Sequence, residues 1–292
     1  KLPTLVELPI YFFGLLGIMT LFIGLLAGLY PAIKLSNIAV LPAVKNQFST
    51  LGGKQLVRKI LLFFQFGVAL LLLVCTLIIS KQVDLFLHSN LGYNKDYLLT
   101  VQVPRDWSEN GVRKMETVQQ ELSLQPEVKS VTLSYEIPGL LGSNMQPAFG
   151  TTDDKEIQVQ RITSDSHFLE TYEIPLVAGT FLPKNYVANA NNRPVVINKK
   201  AMDDFGFKNA EQAIGQQIAL ADPSYKMTIL GVAENFVANS LHQASPPIIW
   251  IDVQESLQYR YLSIRLQHGP LANALQKLEK KWKALMPDAP FE

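Results

Sequence analysis

Two uncharged apolar runs flank a stretch whose only charges are positive, and that arrangement limits the chain to a membrane-anchored architecture. The runs are residues 9–33 and 60–80, 25 and 21 residues long. At ~1.5 Å per residue, a helix of either length crosses a hydrocarbon core of ~30 Å. Between them stand Lys34, Lys45, Lys54, Arg58 and Lys59, with no Asp or Glu. Basic residues concentrate on the cytoplasmic side of membrane helices. The pattern therefore predicts a cytoplasmic linker between the runs. It sends the extreme N-terminus and everything after Ser80 to the opposite side.

Charge divides the same way. Residues 1–81 hold seven Lys/Arg and one Glu, whereas 82–292 hold 19 Lys/Arg and 24 Asp/Glu. The outer part is mildly acidic and offers no basic surface to nucleic acid. The single cysteine, Cys75, lies inside the second run, so neither an intrachain disulfide nor a cysteine metal site can form. The first run is too long for a signal peptide, and its basic residues follow rather than precede it. Starting at Lys1 and stopping at Glu292 just after a helix, the chain reads as a piece of something longer.

The first run carries Gly17, Gly24 and Gly28 on one helix face, with Leu21 between them. Small residues let a second helix approach closely in lipid, so these three are helix-packing candidates. Pro31 ends that helix. Residues 36–56 read as a surface loop with a short helix over 39–48, and Lys34, Arg58 and Lys59 are the cytoplasmic anchor candidates. The second helix has no breaker before Gly92, and its polar residues past Ser80 alternate with apolar ones. It is expected to leave the membrane as one stiff rod of roughly 30 residues.

From Tyr97 onward the pattern is mixed α and β. Leu99, Val101 and Val103 alternate as a strand. Ser108 is placed to cap a helix whose apolar stripe is Val112, Met115, Gln119 and Leu122. Val131, Leu133 and Tyr135 form a second strand, and Leu262, Ile264 and Leu266 another. A final helix follows, with stripe Leu271, Leu275, Leu278, Trp282 and Leu285. The region between holds strand signals at 157–159, 194–197, 218–220, 227–232 and 248–253. Helices are expected at 199–205 and after Ser164-Asp165. Loops at 138–150 and 186–193 are rich in Gly, Asn, Pro and Ala and are expected to be exposed. The fold class is thus membrane α-helical segments plus an α+β domain on the far side of the membrane. That domain reads as a split βαβ, ferredoxin-like open-faced sandwich with an inserted second α+β lobe.

Chemistry-bearing motifs are missing. There is no P-loop, GxGxxG, HExxH, GxSxG or EF-hand signature, and His88, His167, His242 and His268 have no ligand spacing. Asp153-Asp154 and Asp203-Asp204 read as solvated turns or helix ends. Trp107, Trp250 and Trp282 read as packing residues, and Gln65 as a helix–helix hydrogen-bonder. No catalytic, cofactor-binding or metal residues are assigned.

Several segments resemble a known family. Pro31-Ala32, Pro42 and Ala43-Val44-Lys45 resemble the close of an FtsX-type permease domain, and Arg58-Lys59 through Gln65 resemble the opening of the next membrane unit. Residues 91–95, Leu-Gly-Tyr-Asn-Lys, resemble the start of a MacB-type periplasmic core domain. Residues 177–181 and 198–202 resemble later segments of it, and 286–291 hold the place where it returns toward the membrane. The chain is similar to a fragment of a MacB/FtsX-like ABC transporter permease in the tandem form common in Bacteroidetes.

The resemblance implies a layout. Residues 1–33 would be the last helix of a first FtsX-like unit, 34–59 the cytoplasmic linker, and 60–92 a membrane helix with a periplasmic stalk. Residues 93–292 would be the core domain, porter-like at 97–138 and 259–292, with the inserted lobe at 139–258. It implies a mechanotransmission permease in the bacterial inner membrane, residues 81–292 periplasmic, passing ATPase-driven motion outward for export or extraction of a substrate. Expected partners are a cytoplasmic ABC ATPase subunit that alone binds ATP, membrane lipid, a second permease in a dimer or pseudo-dimer, and a periplasmic or outer-membrane protein. The chain itself needs no cofactor. A membrane-tethered sensor and a division-type regulator of cell-wall hydrolases are the alternatives.

Overall fold

The computed structural model describes residues 14, 17–25, 29 and 33, and then 52–142, 145–150, 156–184, 193–240 and 243–291. The chain divides into two compact units, Lys1–Val83 and Asp84–Glu292.

In the first unit, residues 17–25 are helical. The long helix α1, Gly52–His88, is the second apolar run extended at both ends. Its stretch Arg58–Asp84 is 27 residues long and apolar enough to cross a membrane. Every side chain from 60 to 80 is exposed, as a lipid-facing helix requires. The helix starts earlier than the sequence indicates: Gly52 and Gly53 open it instead of interrupting a loop, and the last eight residues of the expected linker are helical. Glycine is tolerated in a first turn, where four N–H groups lack intrahelical acceptors anyway. The short helix expected over 39–48 lies outside the described residues. So do Gly28, Lys34 and Asp153-Asp154.

The second unit opens with β1 (Leu98–Gln102), α2 (Glu109–Ser123) and β2 (Val128–Ser134) and closes with β10 (Tyr261–Leu266) and α7 (Leu271–Leu285). β10 lies between β1 and β2 and is antiparallel to both, so β1 and β2 run the same way. Ser108 caps α2, its side chain accepting from Gly111 N at 3.0 Å. Val112, Met115, Gln119 and Leu122 are all buried, as their spacing indicates. On α7 the buried line is Ala274, Leu278 and Trp282, while Leu271 is exposed. The expected stripe is packed at Leu278 and Trp282 and half-buried at Leu275 and Leu285, and only Leu271 lies outside it; fully buried Trp282 donates Nε1–H to Ala289 O at 2.9 Å.

Between these elements run β3 (Met145–Gly150), β4 (Glu156–Ser164), α3 (Phe168–Tyr172), β5 (Leu176–Gly179), β6 (Pro194–Asn198), α4 (Lys199–Asp204), α5 (Ala210–Ala213), β7 (Gln217–Leu220), β8 (Lys226–Ala233), β9 (Ile248–Asp252) and α6 (Val253–Ser256). Six of these strands close on themselves in the order β4–β3–β7–β8–β6–β9–β4. β4 and β9 are parallel, as are β6 and β8, and the other pairs are antiparallel. The ring meets the three-stranded part through one residue pair, Ser134 with Ser164. Its apolar cluster includes Val159, Val195, Ile197, Ile218, Met227, Ile229 and Ile249, with Ala201 and Met202 of α4 and Ala213 of α5 packed against them.

Two expectations need correction. The span 138–150 is not all loop: Met145–Gly150 is a strand held by β4 on one side and β7 on the other. Pro147 and Gly150 hide its signal, because both residues are depleted in strands. Ser164-Asp165 does not cap α3 directly. Ser164 ends β4, His167 is the N-cap, and buried Asp165 accepts from His167 N two residues on. Of the span 186–193, only Arg193 is described.

Candidate functional site

The residues that follow α1 within the second unit are tied to the domain by several hydrogen bonds and one close backbone approach. Asn90 Oδ1 accepts from Gly92 N at 2.9 Å in a local turn, which stops the helix before Gly92 is reached. Gly92 itself has φ +75, and a Cβ there would lie 2.6 Å from Asn235 O and 2.8 Å from Phe236 Cα. Only glycine fits that close approach. Next to it, Leu91 O accepts from Val237 N at 2.8 Å. Tyr93 places its ring edge-on to Tyr172 and Phe236, each at 6.2 Å.

Arg265 then fixes the segment. It lies on β10, on the face opposite Ile264, and is 3 % exposed. Its guanidinium donates to three backbone carbonyls: Nε to Thr171 O at 2.5 Å, Nη1 to Asp96 O at 3.0 Å and Nη2 to Asn94 O at 2.6 Å. Glu173 Oε1 stands 3.8 Å from Nε. Burial pulls the guanidinium pKa down from its usual value, with Glu173 opposing that shift. Glu173 ends α3 with φ 53 and receives Lys129 Nζ at 2.7 Å and Asn94 Nδ2 at 2.7 Å. Those two bonds, Lys129 first, hold its carboxyl below the usual range. Asn94 N also donates to Tyr172 O at 2.9 Å, and Leu266 N to Tyr97 O at 2.8 Å. One side chain on the last strand thus secures the start of the domain and the end of α3 together.

A second group of buried carboxylates ties the domain's parts. Asp165 accepts from Thr132 Oγ1, His167 N, Leu133 N and Gln119 Nε2, at 2.6, 2.9, 2.9 and 2.5 Å. Burial pushes its pKa up, against those four donors. Glu136 accepts from Thr163 N at 2.9 Å and Asp252 from Gln254 N at 2.8 Å. Burial raises each of these two to about 7.

Of the residues singled out from sequence, Gly17 and Gly24 are helical, and a Cβ at either meets nothing within 4 Å. Arg58 and Lys59 are exposed in the early turns of α1. Trp250 and Trp282 are fully buried packing residues, whereas Trp107 is half exposed and donates to Tyr259 O at 3.2 Å. Gln65 and Cys75 are exposed. Among the described residues, no group of three His, Cys, Asp or Glu is placed to hold a metal ion. Sequence reasoning missed Asn94, Glu173 and Arg265. The available signal was the polar pair Ser263 and Arg265 alternating with Leu262, Ile264 and Leu266 on β10, a strand that the structure buries on both faces.

The family model of the MacB-like periplasmic core domain matches residues 66–280. No curated protein matches the chain. Among solved structures, the chain is similar to the periplasmic region of MacB from Actinobacillus actinomycetemcomitans, at 13% identity and a TM-score of 0.48, covering 69% of this chain and 89% of that one. It is also similar to the extracellular domain of the noncanonic ABC-type transporter YknZ from Gram-positive bacteria, at 14% identity and a TM-score of 0.43, covering 65% and 94%. A domain of a putative permease protein from Porphyromonas gingivalis aligns at 17% identity and a TM-score of 0.43, covering 66% and 85%. On the family match, which takes in most of α1 and nearly all of the outer unit, the chain belongs to the MacB-like periplasmic core domain family, a component of ABC-type transporter permeases.

Proposed function

We propose that this chain is part of the permease subunit of a mechanotransmission-type ABC transporter. α1 crosses the inner membrane with Arg58 and Lys59 at its cytoplasmic foot, and 81–292 lie in the periplasm. A separate cytoplasmic ATPase binds and hydrolyses ATP, so this chain carries no nucleotide or other cofactor. Residues 1–33 close a first FtsX-like unit, and 34–59 link it to the second. Gly17, Gly24 and Gly28 pack against a neighbouring helix of the same permease or of its dimer or pseudo-dimer partner. Residues 97–138 and 259–292 make a porter-like half, a split βαβ sandwich, into which 139–258 are inserted as the second lobe. That outer domain meets the substrate and any periplasmic or outer-membrane partner during export or extraction.

The observation that carries this reading is the uninterrupted helix from Gly52 to His88, followed at once by the segment that Arg265 and Gly92 hold to the domain. A helix transmits displacement along its axis, whereas a flexible linker dissipates it. The test is to insert Gly-Gly-Gly after Asp84 in the full-length permease, reconstituted with its ATPase. ATP turnover is expected to persist while substrate-coupled transport is lost. Transport at the unmodified rate after the insertion would overturn the reading.

A further inference from the structure

We propose that residues 135–142 form a strap over the domain core, released when the Glu136 carboxyl loses its proton. The strap leaves β2 directly after Ser134, whose pairing with Ser164 is the one rung between β2 and β4. Tyr135 N donates to Thr163 O at 2.9 Å, and Thr163 N donates back to Glu136 Oε2 at 2.9 Å. The carboxyl thus stands where a further main-chain acceptor would continue the ladder. Gly139 N donates to Ala238 O at 2.8 Å farther along. Ile137 and Leu141 are buried in the apolar cluster of Ile162, Phe236, Ala238 and Trp250, while Leu140 between them is exposed.

Glu136 is 3 % exposed, and its Oε1 is a buried atom with no hydrogen-bond partner among the described residues. Arg161 on β4 attracts it by charge alone: Nη2 donates to Gln258 Oε1 at 2.9 Å, and Nε is itself buried without an acceptor. The other charged groups around the junction are engaged elsewhere. Asp165 has its four donors, Asp252 caps α6, and Glu116 takes Gln254 Nε2. Glu255 receives Tyr225 Oη and Arg193 Nε, and the Arg260 guanidinium lies over the Tyr261 ring. A neutral carboxyl tolerates such a place, whereas an anion there loses its hydration with no donor for Oε1 in return. Burial accordingly raises this group to about 7. Lifting the strap hydrates the carboxylate and exposes Ile137 and Leu141 rather than a whole core, so local release precedes unfolding. The folded value exceeds the ordinary 4.5, so the strap is held most firmly at acidic pH and loosens as pH rises to 7. With the released carboxyl at its ordinary value, the opening constant rises about 40-fold from pH 5 to 7 and about twofold more by pH 8. The inference does not depend on the transport reading, and it stands or falls separately.

The test is hydrogen–deuterium exchange with mass spectrometry on the full-length permease in detergent, between pH 5 and 8, with rates corrected for intrinsic chemistry. The peptide 135–142 should lose protection by about 40-fold between pH 5 and 7. At pH 8 it should exchange at least about tenfold faster than the β10 peptide 261–266, which opens only with the domain. Glu136→Gln stays neutral and still offers an oxygen to Thr163 N, so its strap should keep the same protection within about threefold across that range. Strap protection that is constant in the wild type, that falls equally in Glu136→Gln, or that matches the β10 peptide at pH 8 would overturn the proposal. If circular dichroism shows Glu136→Gln unfolded, the two wild-type comparisons decide.

Discussion

Arg265 Nη2 donates to the backbone carbonyl of Asn94 at 2.6 Å, across 171 residues of sequence. The two residues join the last strand of the domain to the segment that enters it from α1. The guanidinium is held by carbonyl oxygens, with one carboxylate nearby, so its replacement leaves several acceptors unserved inside the protein.

Arg265→Ala should destabilise the outer domain by about 3 kcal/mol, because three carbonyls, one buried and two part-buried, lose their donor at once. Arg265→Lys should recover only part of that, since an ammonium cannot reproduce the planar three-way geometry. Urea unfolding followed by circular dichroism checks the order wild type, Lys, Ala.

Gly92→Ala and Gly206→Ala form a controlled pair. Both glycines have positive φ, +75 and +88, but a Cβ at Gly92 meets backbone at 2.6 Å whereas one at Gly206 meets nothing within 4 Å. Gly206→Ala should cost about 1–2 kcal/mol, the left-handed penalty alone. Gly92→Ala should cost clearly more. Equal melting temperatures for the two variants would contradict the close approach at Gly92.

Stability should depend on pH through Glu136 and Asp252, whose ordinary values of 4.5 and 3.8 rise to about 7 on folding. Between about pH 4 and 7 the folded domain keeps protons that the unfolded chain has released. Stability is therefore highest at the acidic end of that window, falls as pH rises to 7, and levels off above it. Glu136 alone accounts for about 3 kcal/mol of that fall. Glu173, held low by its partners, acts below this window and in the opposite direction. Glu136→Gln should flatten the fall measured by urea midpoints between pH 5 and 8.

Trp282→Ala should cost about 3–5 kcal/mol, from a fully buried indole and its bond to Ala289 O. Leu271→Ala, on the same helix but exposed, should change stability by less than about 0.5 kcal/mol. Paired thermal melts check that α7 packs through Trp282 while Leu271, at its first turn, stays outside the core.

Much of the framework is legible from local pattern. Ser108 before Val112, Met115 and Leu122 announces α2, and the alternation of Leu262, Ile264 and Leu266 announces β10. These signals are periodic and short-ranged, so one stretch of sequence contains them. The ring of six strands is not legible, because it rests on pairings such as Gln160 with Ile248 that no local pattern encodes. Met145–Gly150 was hidden by its own Pro147 and Gly150. The Arg265 cluster was hidden for another reason: its acceptors are main-chain oxygens, which carry no sequence signature.

The position of β10 bears on how the chain is born. Among the described residues, β1 pairs laterally only with β10, and β2 otherwise touches the sheet through a single pair. Both strands leave the ribosome well before residues 261–266 are made. A nascent chain therefore carries two unmated strands until the interposed one arrives, and high contact order slows the closure. During that interval the young polypeptide is most exposed to aggregation and proteolysis.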